Sequence, residues 1–100
     1  MSNKVYVIQD SPGKNMTTAQ EHGELVILLN SNESISTAEN KIERYLTNFQ
    51  PEDRLLLIGN PLFIAMCVIT AWSQLASDEP LQVLVWDRLH EKYSEEKIYA

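Results

Sequence analysis

Four short apolar segments, separated by polar ones, dominate the hydrophobic pattern of the chain. The segments KVYVIQD (4–10), ELVILLN (24–30), DRLLLIG (53–59) and LQVLVWD (81–87) have the length of strands and are rich in aliphatic, largely β-branched residues. The second and third are apolar throughout, which is typical of strands that are buried on both faces of a parallel, helix-covered sheet. The pattern therefore predicts four strands.

Two helices are predicted between these strands. A capping box starts the first, in which Ser36 accepts from the amide of Glu39 and the Glu39 side chain returns to the amide of Ser36. This helix ends before Pro51, and the second runs from Pro61 to about Ala76. The first helix has one apolar face, formed by Ala38, Ile42, Tyr45, Leu46 and Phe49.

The second helix is apolar around most of its circumference. A domain of 100 residues has little room to bury such a helix completely. We therefore expect one side of it to contact a partner, with another copy of the chain as the first expectation. The candidate interface residues are Phe63, Met66, Thr70 and Trp72 on this helix, together with Trp86 on the fourth strand.

The tail of the chain allows two interpretations. Residues 88–100, RLHEKYSEEKIYA, fit a helix, or else a hairpin with a turn at residues 89–91 and an edge strand over residues 93–99. Tyr93 and Ile98 are better strand residues than helix residues. The hairpin is therefore favoured.

Alternation of helices with apolar strands implies right-handed crossovers and a parallel core sheet. We predict a single α/β domain over residues 1–100, a compact Rossmann-like sandwich of four or five mostly parallel strands in the element order β-β-α-β-α-β(-β). The best strand order is 2-1-3-4. The connection over residues 13–23 holds one or two helical turns and is barely long enough for a crossover, so antiparallel pairing of the first two strands is the alternative.

The carboxyl ends of the first and third strands frame a candidate ligand site, since open α/β sheets bind ligands where the strand order reverses. Asp10 and Ser11 follow the first strand, and Gly59 and Asn60 follow the third. Amides at the start of the second helix could bind an anion, but Pro61 removes one donor and no nucleotide-binding glycine motif is present. Asn60 as helix cap is the favoured interpretation.

Composition and charge disfavour several classes of function. The net charge is −6, and no cluster of Lys and Arg exists, which disfavours nucleic-acid binding. The single cysteine, Cys67, is expected in the core of a protein from a reducing cytoplasm. His22 and His90 do not have metal-ligand spacing, and no cofactor is indicated. The apolar run over residues 61–76 is too short to span a membrane.

The segments GELVILL, DRLLLIGNP and VLVWDR are similar to a group of small uncharacterised proteins encoded by tailed bacteriophages, many from marine samples. The resemblance runs through nearly the whole chain. It implies a virus-encoded protein that acts in the cytoplasm of a bacterial host, and it brings no activity or site residues with it. Members tend to have Gly-Asp-Pro where this chain has Gly59-Asn60-Pro61, and because Asp and Asn cap helices equally well, the comparison favours a cap over a catalytic carboxylate.

Two functions of different classes follow. The first is a non-enzymatic accessory protein that acts by protein–protein association, with another copy or with a host or viral protein. The alternative is a nucleotide- or phosphate-binding domain, with hydrolysis as one option, that uses Asp10, Ser11, Gly59 and Asn60.

Overall fold

A computed structural model describes residues 3–99, which form a five-stranded sheet, two α-helices and a short 3₁₀ helix. In chain order the elements are β1 (Lys4–Gln9), the 3₁₀ helix (Thr17–His22), β2 (Glu24–Leu29), α1 (Ile35–Leu46), β3 (Arg54–Leu56), α2 (Pro61–Trp72), β4 (Leu81–Asp87) and β5 (Lys92–Ile98). Across the sheet the strands lie in the order β2-β1-β3-β4-β5. β1 to β4 are parallel, and β5 is antiparallel to β4.

The predicted mixed α/β fold with a mostly parallel sheet is confirmed, and the first four strands lie in the expected order 2-1-3-4. The antiparallel alternative for β1 and β2 is wrong, because the 3₁₀ helix, which rises about 2 Å per residue, carries the chain back along β1. The helical alternative for the tail is also wrong, since the chain turns after Asp87 and returns as β5.

Both α-helices cover the same face of the sheet, and the larger part of the core lies beneath them. Each helix contributes residues spaced four apart, so that one stripe of each faces the strands. The helix residues buried there are Ala38, Ile42 and Leu46 from α1 and Phe63, Cys67 and Ala71 from α2. The predicted apolar face of α1 is thus confirmed, except that Tyr45 lies at its exposed margin.

The predicted capping box at the start of α1 is wrong. The N-cap is Ser34, whose Oγ accepts from the amide of Thr37 at 3.3 Å, and the helix already begins at Ile35. Ser34 is the first serine after the loop that follows β2, and it caps as well as Ser36 would. Glu39 is therefore an exposed residue inside the helix rather than a partner of the cap.

Glu33 fixes the loop between β2 and α1. Its carboxylate accepts from the Asn30 amide at 3.1 Å, from the Thr37 hydroxyl at 2.5 Å and from the Lys41 ammonium at 2.9 Å. These donors all favour the ionised form, with Thr37 the largest cause, and they lower the pKa of Glu33 to about 2.

The second helix ends at Trp72, not near Ala76. The hydroxyl of Ser73 donates to the carbonyl of Thr70 at 2.6 Å, and the following amides bond three residues back instead of four. Ser competes with the helix for backbone partners in this way, and the chain tightens into a turn.

The opposite face of the sheet is covered mainly by the 3₁₀ helix, so its core is smaller and its margins are open. Ile27 on β2 is 48% exposed and Trp86 on β4 is 43% exposed on this side. The expectation that β2 is buried on both faces is therefore wrong. The buried residues of this face are Val5, Val7, Ala19, Leu56, Ile58, Leu84 and Tyr93.

Candidate functional site

Gln9 closes the edge of the sheet at which the candidate ligand site was placed. Its side chain is buried, donates from Nε2 to the carbonyl of Asn30 at 3.1 Å, and accepts at Oε1 from the amide of Asn60 at 2.8 Å. One side chain thus joins the ends of β1 and β2 to the start of α2.

Gly59 allows this close approach. Its φ is +123°, a conformation that residues with a side chain rarely adopt, and a Cβ at this position would lie 2.5 Å from the Cβ of Gln9. The glycine after β3 therefore accommodates the Gln9 side chain.

The amides at the start of α2 are largely occupied from within the chain. The Asn60 amide bonds to Gln9, Pro61 has no amide hydrogen, and the Leu62 amide donates to Oδ1 of Asn60 at 2.8 Å. The predicted Asn60 cap with Pro61 at the first helical position is confirmed. An anion at this edge would have to displace the side chains of Gln9 and Asn60.

The remaining candidates for the ligand site, Asp10 and Ser11, lie at the same edge as Gly59 and Asn60. The Asp10 amide donates to the Leu29 carbonyl at 2.8 Å, and the Ser11 carbonyl accepts from the Lys14 amide at 3.0 Å in a turn. The sequence places Gln9 at this edge beside Asp10 and Ser11, but it does not show the central role of Gln9, because it is one polar residue at the end of an apolar strand.

A groove with a volume of about 480 Å³ lies between α1 and α2. Ile42, Met66 and Ile69 form its apolar part, and Ile69 is 71% exposed. Glu39 and Glu43 line the α1 side, and no basic residue lines it. The α2 side is lined by Thr70, Ser73 and Gln74. We call this surface the α1–α2 groove.

The predicted interface residues do not form one surface. Met66 and Thr70 line the α1–α2 groove, but Phe63 is only 3% exposed and lies in the core. Trp72 is partly buried at the end of α2. Trp86 lies on the other face of the sheet, with its ring centroid 5.1 Å from that of Tyr93 in an edge-on arrangement.

The titratable side chains inside the fold hold segments together. Both carboxylate oxygens of the buried Asp53 accept hydrogen bonds from backbone amides, from Lys4 at 3.0 Å and from Gln50 at 2.9 Å.

Cys67 lies in the core as predicted, and burial raises the pKa of its thiol to about 12. A thiol with this pKa is not an effective nucleophile near neutral pH.

Two ionic clusters lie on the open face and at the hairpin. Arg54 donates to the carboxylate of Glu95 and to the carbonyl of His22, which ties the 3₁₀ helix to β3 and β5. The His90 ring nitrogen lies 2.7 Å from the Asp87 carboxylate, and this hydrogen bond lowers the pKa of Asp87. Within residues 3–99 no group of three or more potential metal-ligating side chains occurs.

The chain is thus a small mixed α/β domain in which Gln9 closes the carboxyl edge of the sheet and an open groove lies between the two helices. The sequence profile of the Phage Pam3 gp32-like protein family matches residues 3–99, and the chain belongs to this family. The resemblance to phage-encoded proteins is thereby confirmed. No curated protein and no solved structure matches the chain. Between residues 3 and 99, none of the helices is long and apolar enough to cross a bilayer.

Proposed function

We propose that this phage-family protein is an accessory protein that binds another protein through the α1–α2 groove. Ile69 carries the proposal, because a β-branched apolar side chain that is 71% exposed lies on a helix with no charged residue. Met66 and Ile42 continue its apolar surface into the groove. A concave apolar surface of this kind suits the apolar face of an amphipathic helix.

The charge of the α1–α2 groove selects the partner. Glu39 and Glu43 are its only charged lining residues, and the chain carries a net charge of −6. A second copy in this groove would bring two acidic rims together. A partner segment that places Lys or Arg beside apolar residues would instead pair with Glu39 and Glu43. The proposed occupant is therefore a basic amphipathic segment of a host or viral protein.

The nucleotide- or phosphate-binding alternative has less support, because a ligand would have to displace Gln9 from its bonds to Asn30 and Asn60.

The description of the fold as Rossmann-like is part of the proposal, and it is supported by the strand order and by the helices that link parallel strands. We further propose that the protein acts in the host cytoplasm, which the buried free thiol of Cys67 supports.

Two synthetic peptides test the proposal. Both have about 18 residues and the same leucine pattern of an amphipathic helix, but one carries Lys and the other Glu at the polar positions. We expect the Lys peptide to bind at least about tenfold more tightly, and its affinity to fall as salt is added. Isothermal titration gives the affinities, and NMR shifts of the backbone amides locate the contact.

Two variants and their controls separate groove binding from general attraction to an acidic protein. Ile69→Lys and Glu43→Lys should each weaken the Lys peptide about tenfold or more, whereas Leu89→Lys at the hairpin tip and Glu21→Lys on the 3₁₀ helix should not. Equal losses in variants and controls, or no binding of the Lys peptide, would contradict the proposal.

A further inference from the structure

The outer edge of β2 is open. Within residues 3–99, β2 pairs only with β1. The Glu24 amide donates toward β1, to the carbonyl of Asn3 at 3.0 Å, so the backbone groups of Leu25 and Ile27, which alternate with it, point away from β1. These N–H and C=O groups face the side of the sheet on which no further strand of the described chain lies.

Most of this edge lacks the charged residues and prolines that commonly prevent pairing with another chain. Residues 25–29 are uncharged, and β2 contains no proline. Edge strands in natural proteins are commonly protected by Lys, by Pro or by inward-pointing charges. An open edge with five consecutive apolar residues is a template for another strand.

We infer that a second copy of this chain occupies the edge, with β2 paired antiparallel to its counterpart about a two-fold axis. A two-fold axis makes the contact self-complementary and closed. The only charge on β2 is Glu24 at its start. In any register that pairs most of the strand, Glu24 lies opposite an uncharged residue between 28 and 30 of the other copy, so like charges do not meet across the ladder.

Side chains on both faces extend the contact beyond the backbone. Ile27, which is half-exposed, lies on the face of the 3₁₀ helix near the axis. On the other face α1 packs over β2, and Glu39 and Glu43 mark the flank of α1 that faces α2. Tyr45 lies on the opposite flank of the α1 apolar stripe, toward the open edge, and is exposed. Such flanking contacts are needed, because a stable interface buries at least about 1,000 Å² in total.

Sedimentation velocity and light scattering of the full chain at about 100 µM test the inference, and we expect a dimer whose dissociation constant is at or below the micromolar range. Ile27→Lys places like charges near the axis and should weaken association at least about tenfold while leaving the far-UV circular dichroism unchanged. Ile27→Pro removes an outward amide that β1 does not use and should have the same effect. In hydrogen exchange, the amides of residues 25 and 27 should be protected in the dimer and exchange faster in Ile27→Lys.

Control variants separate this contact from the α1–α2 groove. Leu89→Lys and Ile69→Lys make the same kind of change on exposed apolar residues elsewhere and should leave the dimer intact. Conversely, Ile27→Lys should bind the Lys peptide as the parent chain does. A monomer at this concentration would overturn the inference. So would a dimer that resists both Ile27 variants, and a dimer lost in Ile69→Lys would show that the copies meet through α2.

Discussion

The two edge strands of the sheet differ in how they meet solvent. β2 carries a single charge, at Glu24, whereas four of the seven residues of β5 are charged, namely Lys92, Glu95, Glu96 and Lys97. Charged side chains along an edge oppose the addition of another strand. The comparison indicates that β5 ends the sheet and that β2 is suited to continue it. A dimer through β2 would leave only the two charged edges exposed, so it would not grow further.

The two edges are also held to the rest of the chain differently. β5 is fixed by buried Tyr93, which packs against Trp86, and by the ion pair of Arg54 with Glu95. β2 is fixed by its ladder to β1, by its buried Leu28 and Leu29, and by the bond from Gln9 to the carbonyl of Asn30. β5 is therefore held by one aromatic side chain and an ion pair beside its ladder, whereas β2 is held by aliphatic side chains in the larger core.

The largest expected effect comes from removing the charges of β5. The triple variant Lys92→Thr, Glu96→Thr and Lys97→Thr leaves Glu95, which pairs with Arg54, as the single charge on β5 and so makes this edge similar to that of β2. We expect dimers to associate into long assemblies, because each copy then offers two edges that can pair. Light scattering should show particles at least about tenfold heavier than the dimer.

A control variant makes the same change of charge away from either edge. Lys14→Thr, Arg44→Thr and Glu52→Thr also remove two positive charges and one negative charge from exposed residues, which takes the net charge from −6 to −7. This variant should remain a dimer. If the β5 variant also stays a dimer, its charges are not what ends the sheet.

Two tyrosines test how each edge is anchored. Tyr93→Ala should lower the free energy of unfolding by roughly 3–5 kcal/mol, because a buried aromatic side chain is lost together with its contact to Trp86. Tyr45→Ala, near the β2 edge, should lower it by less than about 1 kcal/mol and weaken mainly the dimer. Urea denaturation at several protein concentrations separates the two effects. Equal losses would contradict the anchoring of β5 by buried Tyr93.

Gln9→Ala tests the link between β2 and α2. The change removes both hydrogen bonds of the side chain and leaves the Asn60 amide without its partner, so we expect a loss of about 2–3 kcal/mol in the free energy of unfolding. Gln20→Ala, on the exposed side of the 3₁₀ helix, is the matched control and should change it by less than about 0.5 kcal/mol. A Gln9 variant as stable as this control would show that the link contributes nothing to the free energy of unfolding.

The smallest expected effect is a change of stability with pH that comes from Glu33, after β2, and Asp87, before β5. Because the pKa of Glu33 is lowered from 4.5 to about 2, its carboxylate stabilises the folded chain fully above pH 4.5, and this contribution is lost as the pH falls toward 2. Glu33→Gln should therefore reduce stability at pH 7, and its difference from the parent chain should shrink between pH 4.5 and 2. The pKa of Asp87, at the hairpin before β5, is also lowered, so Asp87→Asn should likewise reduce the stability at neutral pH.

Thermal unfolding at a series of pH values measures both differences, and NMR titration gives the two pKa values directly. A Glu33 carboxyl that titrates near 4.5 would contradict the assigned contacts with Thr37 and Lys41.

Local patterns predicted the elements well, because strand and helix signals depend on neighbouring residues. Asn60 and Pro61 specify the start of α2 from within two positions, and Tyr93 with Ile98 correctly favoured a strand. The burial of β2 was less evident. A run such as ELVILL reads the same in a covered strand and at an edge, and the exposure of Ile27 depends on how little the 3₁₀ helix covers.

The candidate sites show the same limit. Because α2 is apolar all round, its sequence has no period that separates buried Phe63 from exposed Ile69. Phe63 was therefore placed at the interface and Ile69 was omitted. The contact of Gln9 with Asn60 joins residues 51 positions apart, and no local pattern predicts a bond of that range.

The hydrogen bond between Gln9 and Asn60 also bears on how the protein reaches its folded state. In many open α/β proteins a small-molecule ligand binds at the carboxyl ends of the strands and completes the contacts there. The stability of the completed state then depends on the concentration of that ligand in the cell. Here the completing group is part of β1 and is in place as soon as β1, β3 and α2 have come together. Each newly synthesised copy thus completes this edge on its own, at a rate set by folding.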